Sequence, residues 1–218
     1  FTSRCNLRCT YCAVSRPGYV NRDLPQPLFA GIFQELSEIG AQMVQINGHG
    51  ETTFLKDWVS AAEPFVANFP CKLISNFACP FEEREIALLA RLKLIHISSD
   101  STNEDVLRNI RRKVSLDTIV DNIKALQSYT AGHNIVGPDL AFISGISDKN
   151  VFDLPGLARL AVHLDIKEVF FWALWKHGDI EGAVNVNALD NLPTQEQERA
   201  LASIEATLEI LRRGGIRY

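Results

Sequence analysis

Three of the five cysteines fall in one short stretch, "CNLRCTYC", at Cys5, Cys9 and Cys12. Thiolates bind both iron and zinc, so the spacing has to discriminate. On a helix these three positions share one face, and they could be buried apolar thiols. Cys9 and Cys12 alone make C-x2-C, the spacing of a thioredoxin-like redox pair. A structural zinc site needs a fourth ligand, which would have to be the distant Cys71, Cys79 or a His. An iron–sulfur cube usually takes four thiolates; three leave one iron without a protein ligand. An open position on a metal is a binding position, as in catalytic zinc sites.

A second group of residues stands at the polar ends of short β-rich runs. "NGHGETT" (residues 47–53) holds Gly48, His49, Gly50 and Glu51. Its plain reading is a glycine turn with a helix-capping Thr, and His49 is open between a functional and a merely exposed role. Asn76 closes "KLISN", where a simple turn Asn would also fit. Ser98 and Asp100 lie in "ISSDS"; Asp100, Ser101 or Thr102 could each cap the next helix. Arg111 belongs to the basic run "RNIRRK", whose plain reading is a solvated helix end.

Alternating short strands and amphipathic helices must position these residues. Runs 41–47, 72–76, 94–99, 139–144 and 168–174 are five to seven residues long, β-branched or aromatic, and read as strands. Leu28, Phe29, Ile32, Phe33, Leu36 and Ile39 repeat at helical spacing until Gly40 stops the run. Ile86 to Leu92, Ser115 to Leu126, Leu154 to Leu164 and Thr194 to Arg213 read as further helices. Strand–helix alternation predicts parallel βαβ units. Five strands are visible, and a sixth would precede the cysteines with only "FTS" left of it. A full eightfold barrel takes about 250 residues. The expected fold is therefore α/β, a partial (β/α)6 TIM-type barrel, with a doubly wound sheet as the alternative. Residues 1–218 are expected to be one core domain of a longer chain, its first strand truncated.

The composition narrows the class. The 218 residues are 46% hydrophobic and 22% charged, with a net charge of −4. No overall basic field exists to recruit nucleic acid or an anionic membrane. The apolar run Val169 to Trp175 is far too short to span a bilayer. An odd number of cysteines, most of them clustered, is unlike a secreted disulfide framework, so a reducing, cytoplasmic compartment is expected.

"CNLRCTYC" resembles the C-x3-C-x-aromatic-C signature of the radical S-adenosylmethionine (SAM) enzymes. The resemblance implies that Cys5, Cys9 and Cys12 hold a [4Fe–4S] cluster whose fourth iron chelates S-adenosylmethionine. It implies reductive cleavage to a 5′-deoxyadenosyl radical that abstracts a substrate hydrogen, with an external electron donor such as a flavodoxin or ferredoxin. Tyr11 matches the aromatic that lies near the adenine. "NGHGETT" is similar to the family's G-x-G-E-P loop, with Thr52 for the proline; Gly48 and Gly50 would allow close backbone approach, and Glu51 would grip the amino group. Asn76 resembles the strand end "TNG". Ser98 and Asp100 resemble "S-x-D-G", facing the ribose or carboxylate. Arg111 falls on the Arg of "R-G-x-G-S-F", a segment of members with a C-terminal auxiliary-cluster (SPASM-type) domain, which implies that Arg111 contacts the carboxylate of S-adenosylmethionine as in some relatives; Arg112 and Val114 stand where its glycines would be. Many such members modify peptides or proteins, so a peptide or protein substrate is expected. Cys71 and Cys79 are expected to be buried or incidental thiols. The rival functions are a non-catalytic iron–sulfur electron carrier and a zinc-stabilised α/β module.

Overall fold

A computed structural model describes residues 1–174, 189 and 192–218. Trp175, the last residue of the apolar run singled out above, lies outside them. The elements in chain order are α1 (Gln26–Glu38), β1 (Val44–Gln45), α2 (Trp58–Asn68), β2 (Cys71–Ser75), α3 (Glu83–Leu89), β3 (Leu94–Ser98), α4 (Glu104–Arg111), α5 (Leu116–Gly132), β4 (Asp139–Ile146), α6 (Leu154–His163), β5 (Glu168–Ala173) and α7 (Thr194–Arg213). The strands form one parallel sheet in the order β1-β2-β3-β4-β5. Val44 stands opposite Cys71, and Ala141 to Ile146 stand opposite Glu168 to Ala173. Sequential order in a parallel sheet with a helix between strands is the βαβ architecture expected.

Local chemistry explains the element ends. Gly40 adopts φ +65°, and the Ala41 amide donates to Leu36 O, so the α1 exit consumes residues expected to begin a strand. The ladder is instead prolonged at the other end. The Asn47 side chain donates to Ile74 O at 2.6 Å and accepts from Ile74 N at 2.9 Å. Helix α3 opens on a reciprocal capping box between Glu82 and Glu85. Helices α2 and α4 carry weak sequence signals. The first contains Pro64, and the second is eight residues with only Leu107, Ile110 and Arg111 buried. The "FTS" segment forms a single antiparallel bridge, Thr2 to Asp23, rather than a strand.

Packing separates two compact units. The first comprises Phe1–Asn6, Val20–His96 and Asp117–Asp139; the second comprises Leu7–Tyr19, Ile97–Leu116 and Leu140–Tyr218. In the first, Trp58, Phe65, Leu73, Leu89, Ile119 and Ile123 are buried. Phe29 and Phe33 of α1 meet Phe65 edge-on at centroid distances of 6.3 and 5.9 Å. In the second, Val151, Leu154 and Ala200 form a cluster joined by Ile146, Phe171 and Ile204, which seats α6 and α7 on the sheet. Each fully buried large apolar side chain contributes about 1.5–3 kcal/mol. After α7 the chain turns extended, and Arg217 forms a parallel bridge with Glu168. Among the described residues, no helix is long and apolar enough to cross a membrane.

Candidate functional site

The first unit carries Cys5, the glycine loop and the end of β2. The amides of Gly50 and Glu51 donate to the carbonyls of Thr2 and Arg4, at 3.0 and 2.7 Å. A Cβ at Gly48 or Gly50 would run into the backbone of Thr2 or Arg4. The close approach that these glycines permit is thus by the chain's own segment leading into Cys5. Glu51 is buried. One carboxylate oxygen accepts from the Thr53 amide (3.2 Å) and hydroxyl (2.8 Å); the other accepts from the Asn76 amide (2.7 Å). Burial pushes the Glu51 carboxyl above its ordinary value, against the hydrogen bonds from Asn76, Thr53 and Ser75, which favour the charged form. Thr52, standing where the family loop has proline, donates to Ile46 O at 3.0 Å. His49 is exposed.

The Asn76 side chain joins the loop to the first cysteine. Its amide nitrogen lies 2.8 Å from Asn6 Oδ1 and 3.7 Å from Cys5 Sγ. Asn6 Nδ2 in turn lies 3.1 Å from Cys79 Sγ. Cys79, half-buried, is therefore in contact with the residue that follows Cys5. Cys71, on β2, is a buried thiol as expected, pushed up to about 11 by burial. Two mainly apolar cavities of about 410 and 290 Å³ in this unit border α1 (Phe29 lines both), and neither is lined by Glu51 or Cys5.

The second unit carries Cys9, Tyr11, Cys12, Ser98, Asp100 and Arg111. Asp100 is fully buried and does not cap α4; that task falls to Asn103, whose side chain accepts from the amides of Asp105 and Val106. One Asp100 oxygen lies 2.7 Å from Arg111 Nε and 3.0 Å from the Tyr11 hydroxyl, and the other accepts from Gly145 N at 2.9 Å. The Arg111 guanidinium also stands 5.8 Å from the Tyr11 ring centroid. Arg111 is only 6% exposed, so it is not a solvated helix end. Burial lowers its pKa, but Asp100, Tyr11 and Cys9 more than reverse this and leave the guanidinium firmly charged. Burial holds the Tyr11 hydroxyl well above its ordinary value. Ser98 closes β3, half-buried.

This network anchors the cysteine loop. The Thr10 amide donates to Ile110 O at 2.8 Å, and Cys9 Sγ lies 3.8 Å from Arg111 O. Asn150, unremarked in the sequence, is buried and donates to the carbonyls of Asp100 and Gly145 at 2.8 and 2.9 Å. Nothing local marks it; only the β4 fold brings residues fifty apart together. Asn6 carried a faint signal, an amide beside a cysteine inside the motif.

All five cysteines are free thiols, with Cys9 buried and Cys5 and Cys12 half-buried. Among the described residues, no group of three or more His, Cys, Asp or Glu converges as a cage for one metal ion. A four-iron cluster takes each thiolate on a different iron, so a single-ion cage is not what it requires. In the first unit Cys5 faces an amide donor, and in the second Cys9 is held beside Arg111; thiols are the donor type that such a cluster takes.

Residues 1–139 match the family described as the Radical SAM superfamily. The chain is 24% identical over 196 residues to the GTP 3′,8-cyclase of Campylobacter lari, covering 87% of this chain and 59% of that protein. The chain spans about half the length of the curated relatives it matches. Among solved structures, Streptococcus suis SuiB bound to S-adenosylmethionine shares the fold at TM-score 0.71 and 16% identity, covering 97% of this chain and 46% of SuiB. SuiB bound to its precursor peptide SuiA matches at TM-score 0.70 and 16% identity, covering 99% and 46%. With this family match and the parallel βαβ sheet in agreement, the chain belongs to the radical SAM superfamily, enzymes that bind a [4Fe–4S] cluster and S-adenosylmethionine.

Proposed function

We propose that Cys5, Cys9 and Cys12 hold the cluster, that Glu51 receives the ammonium of S-adenosylmethionine, and that Tyr11, Asp100 and Arg111 hold the cysteine loop in place. When bound, the cluster supplies the electron that cleaves the sulfonium C–S bond and yields the 5′-deoxyadenosyl radical. One observation carries the Glu51 assignment: it is a buried carboxylate with no Lys, Arg or His paired to it among the described residues. A buried anion without a countercharge is costly, and an arriving ammonium relieves that cost. Gly48 and Gly50 let the Thr2–Arg4 backbone brace the loop that carries Glu51. Asn76 supports Glu51 through its backbone amide. Ser98, at the end of β3, is the remaining candidate for a ribose contact.

The relatives' name makes GTP the first substrate to test. A peptide, as SuiB takes in SuiA, is the second reading. A low-potential flavodoxin or ferredoxin would supply the electron, in a reducing, cytoplasmic setting where free thiols persist.

Anaerobic reconstitution tests the assignment. The wild-type chain should take up about four irons and change its spectrum on adding S-adenosylmethionine. Replacing Cys5, Cys9 and Cys12 together with Ala should abolish iron uptake and 5′-deoxyadenosine formation. A triple variant that still binds a four-iron cluster refutes the ligand set.

A further inference from the structure

We infer that Asn76 tunes the electron affinity of the cluster through the sulfur of Cys5, an inference that rests on reading Cys5 as a cluster ligand. The polarity of the Asn76 amide is fixed by its partners. Its Oδ1 accepts from Ala78 N at 2.9 Å, so the NH2 end faces the other way. One of its protons serves Asn6 Oδ1 at 2.8 Å, and the other is available to Cys5 Sγ at 3.7 Å. Asn6 cannot reverse this polarity without losing the contact from its own Nδ2 to Cys79 Sγ at 3.1 Å.

The supporting backbone is held as firmly. Asn122 donates to the carbonyls of Phe77 and Cys79, at 2.9 and 2.7 Å. Phe77 is held at φ +53°, which turns the chain directly after Asn76. The Asn76 amide donates to Glu51 at 2.7 Å, and the residue is only 6% exposed. Its side-chain donor is therefore shielded from bulk water and cannot swing away at low cost.

An N–H donor aimed at a cluster thiolate stabilises the more negative, reduced state more than the oxidised one. Asn76 thus raises the reduction potential and makes the electron easier to load. It also links two functions in one residue, with its backbone on the carboxylate proposed for S-adenosylmethionine and its side chain on the first cysteine.

The test uses the reconstituted full chain and a redox titration followed by electron paramagnetic resonance. Asn76→Leu is neutral and close in shape. At a fixed solution potential near the wild-type midpoint, its reduced-to-oxidised ratio should fall roughly three- to tenfold, because the bond is made in both redox states and only its excess strength in the reduced one is lost. An unmoved or raised midpoint overturns the inference. Where Asn76→Leu fails to take up a cluster, wild-type protein labelled with 15N-asparagine decides. A hyperfine coupling between the reduced cluster and a side-chain nitrogen is expected, and its absence overturns the inference. Cys5→Ala separates the two levels. A four-iron cluster that forms without Cys5 refutes the ligand reading and the inference with it; a Cys5-dependent cluster with an unmoved potential refutes the inference alone.

Discussion

Glu51 and Asp100 are both buried carboxylates at strand ends, and the chain treats their charges differently. Asp100 is met by a guanidinium at 2.7 Å, a phenol at 3.0 Å and a backbone amide at 2.9 Å. Glu51 is met by the amide and hydroxyl of Thr53 and the amide of Asn76, all neutral donors. Asp100 has a cation from within the fold beside it. At Glu51 burial is offset only in part by neutral donors, and the carboxyl is pushed upward. On the reading proposed above, the carboxylate already paired with a buried Arg acts as a clamp, and the one lacking a cation receives the cationic ligand.

The contrast can be broken most forcefully at Asp100. Asp100→Ala strands Arg111 as a buried, unpaired charge, and should cost about 3–5 kcal/mol of stability in chemical denaturation. A loss under about 1 kcal/mol would mean that the clamp carries no weight. Glu51→Gln should act on the ligand instead. The variant should keep its cluster but bind S-adenosylmethionine about 1.5–3 kcal/mol more weakly by calorimetry. Unchanged affinity removes Glu51 from the site.

The pH dependence sharpens the same contrast. Because the native Glu51 carboxyl lies above its ordinary 4.5, the folded state holds that proton more tightly than the unfolded chain. The ligand-free contribution of this group is therefore most favourable below about 4.5 and falls as pH rises through the raised native value. The stability of the wild type relative to Glu51→Gln should decline over that window. A flat difference contradicts the shift. The smallest effect is expected from Tyr11→Phe, which deletes one hydroxyl donor to Asp100 and should cost about 1 kcal/mol in the same denaturation measurement.

The cysteine motif was legible because its information is local. Three closely spaced thiols resemble one family's signature within a single loop, and the polar residues closing each β-rich run announce a strand end. The helix ends at Gly40 and Arg213 were legible for the same reason, since a left-handed glycine or a Gly-Gly pair stops a helix within one turn. Helix α2 was hidden by Pro64, and α4 by its short, charged face, in which the buried Arg111 imitates a solvated residue.

Partner choice lay beyond sequence reading. Asp100 could as readily have capped a helix by its sequence; instead folding brought Tyr11, Arg111 and Gly145 to it. Gly48 and Gly50 were read as allowing close backbone approach, and only the fold shows that the backbone of Thr2 and Arg4 approaches them. Asn6 and Asn76 lie seventy residues apart, as do Asn76 and Cys5 within one position, and no local pattern pairs them. Residue type and spacing set which chemistry is available, because ligand softness and charge belong to single side chains. Burial and countercharge depend on every neighbour at once, so only the packed chain decides which carboxylate is satisfied and which still needs a cation.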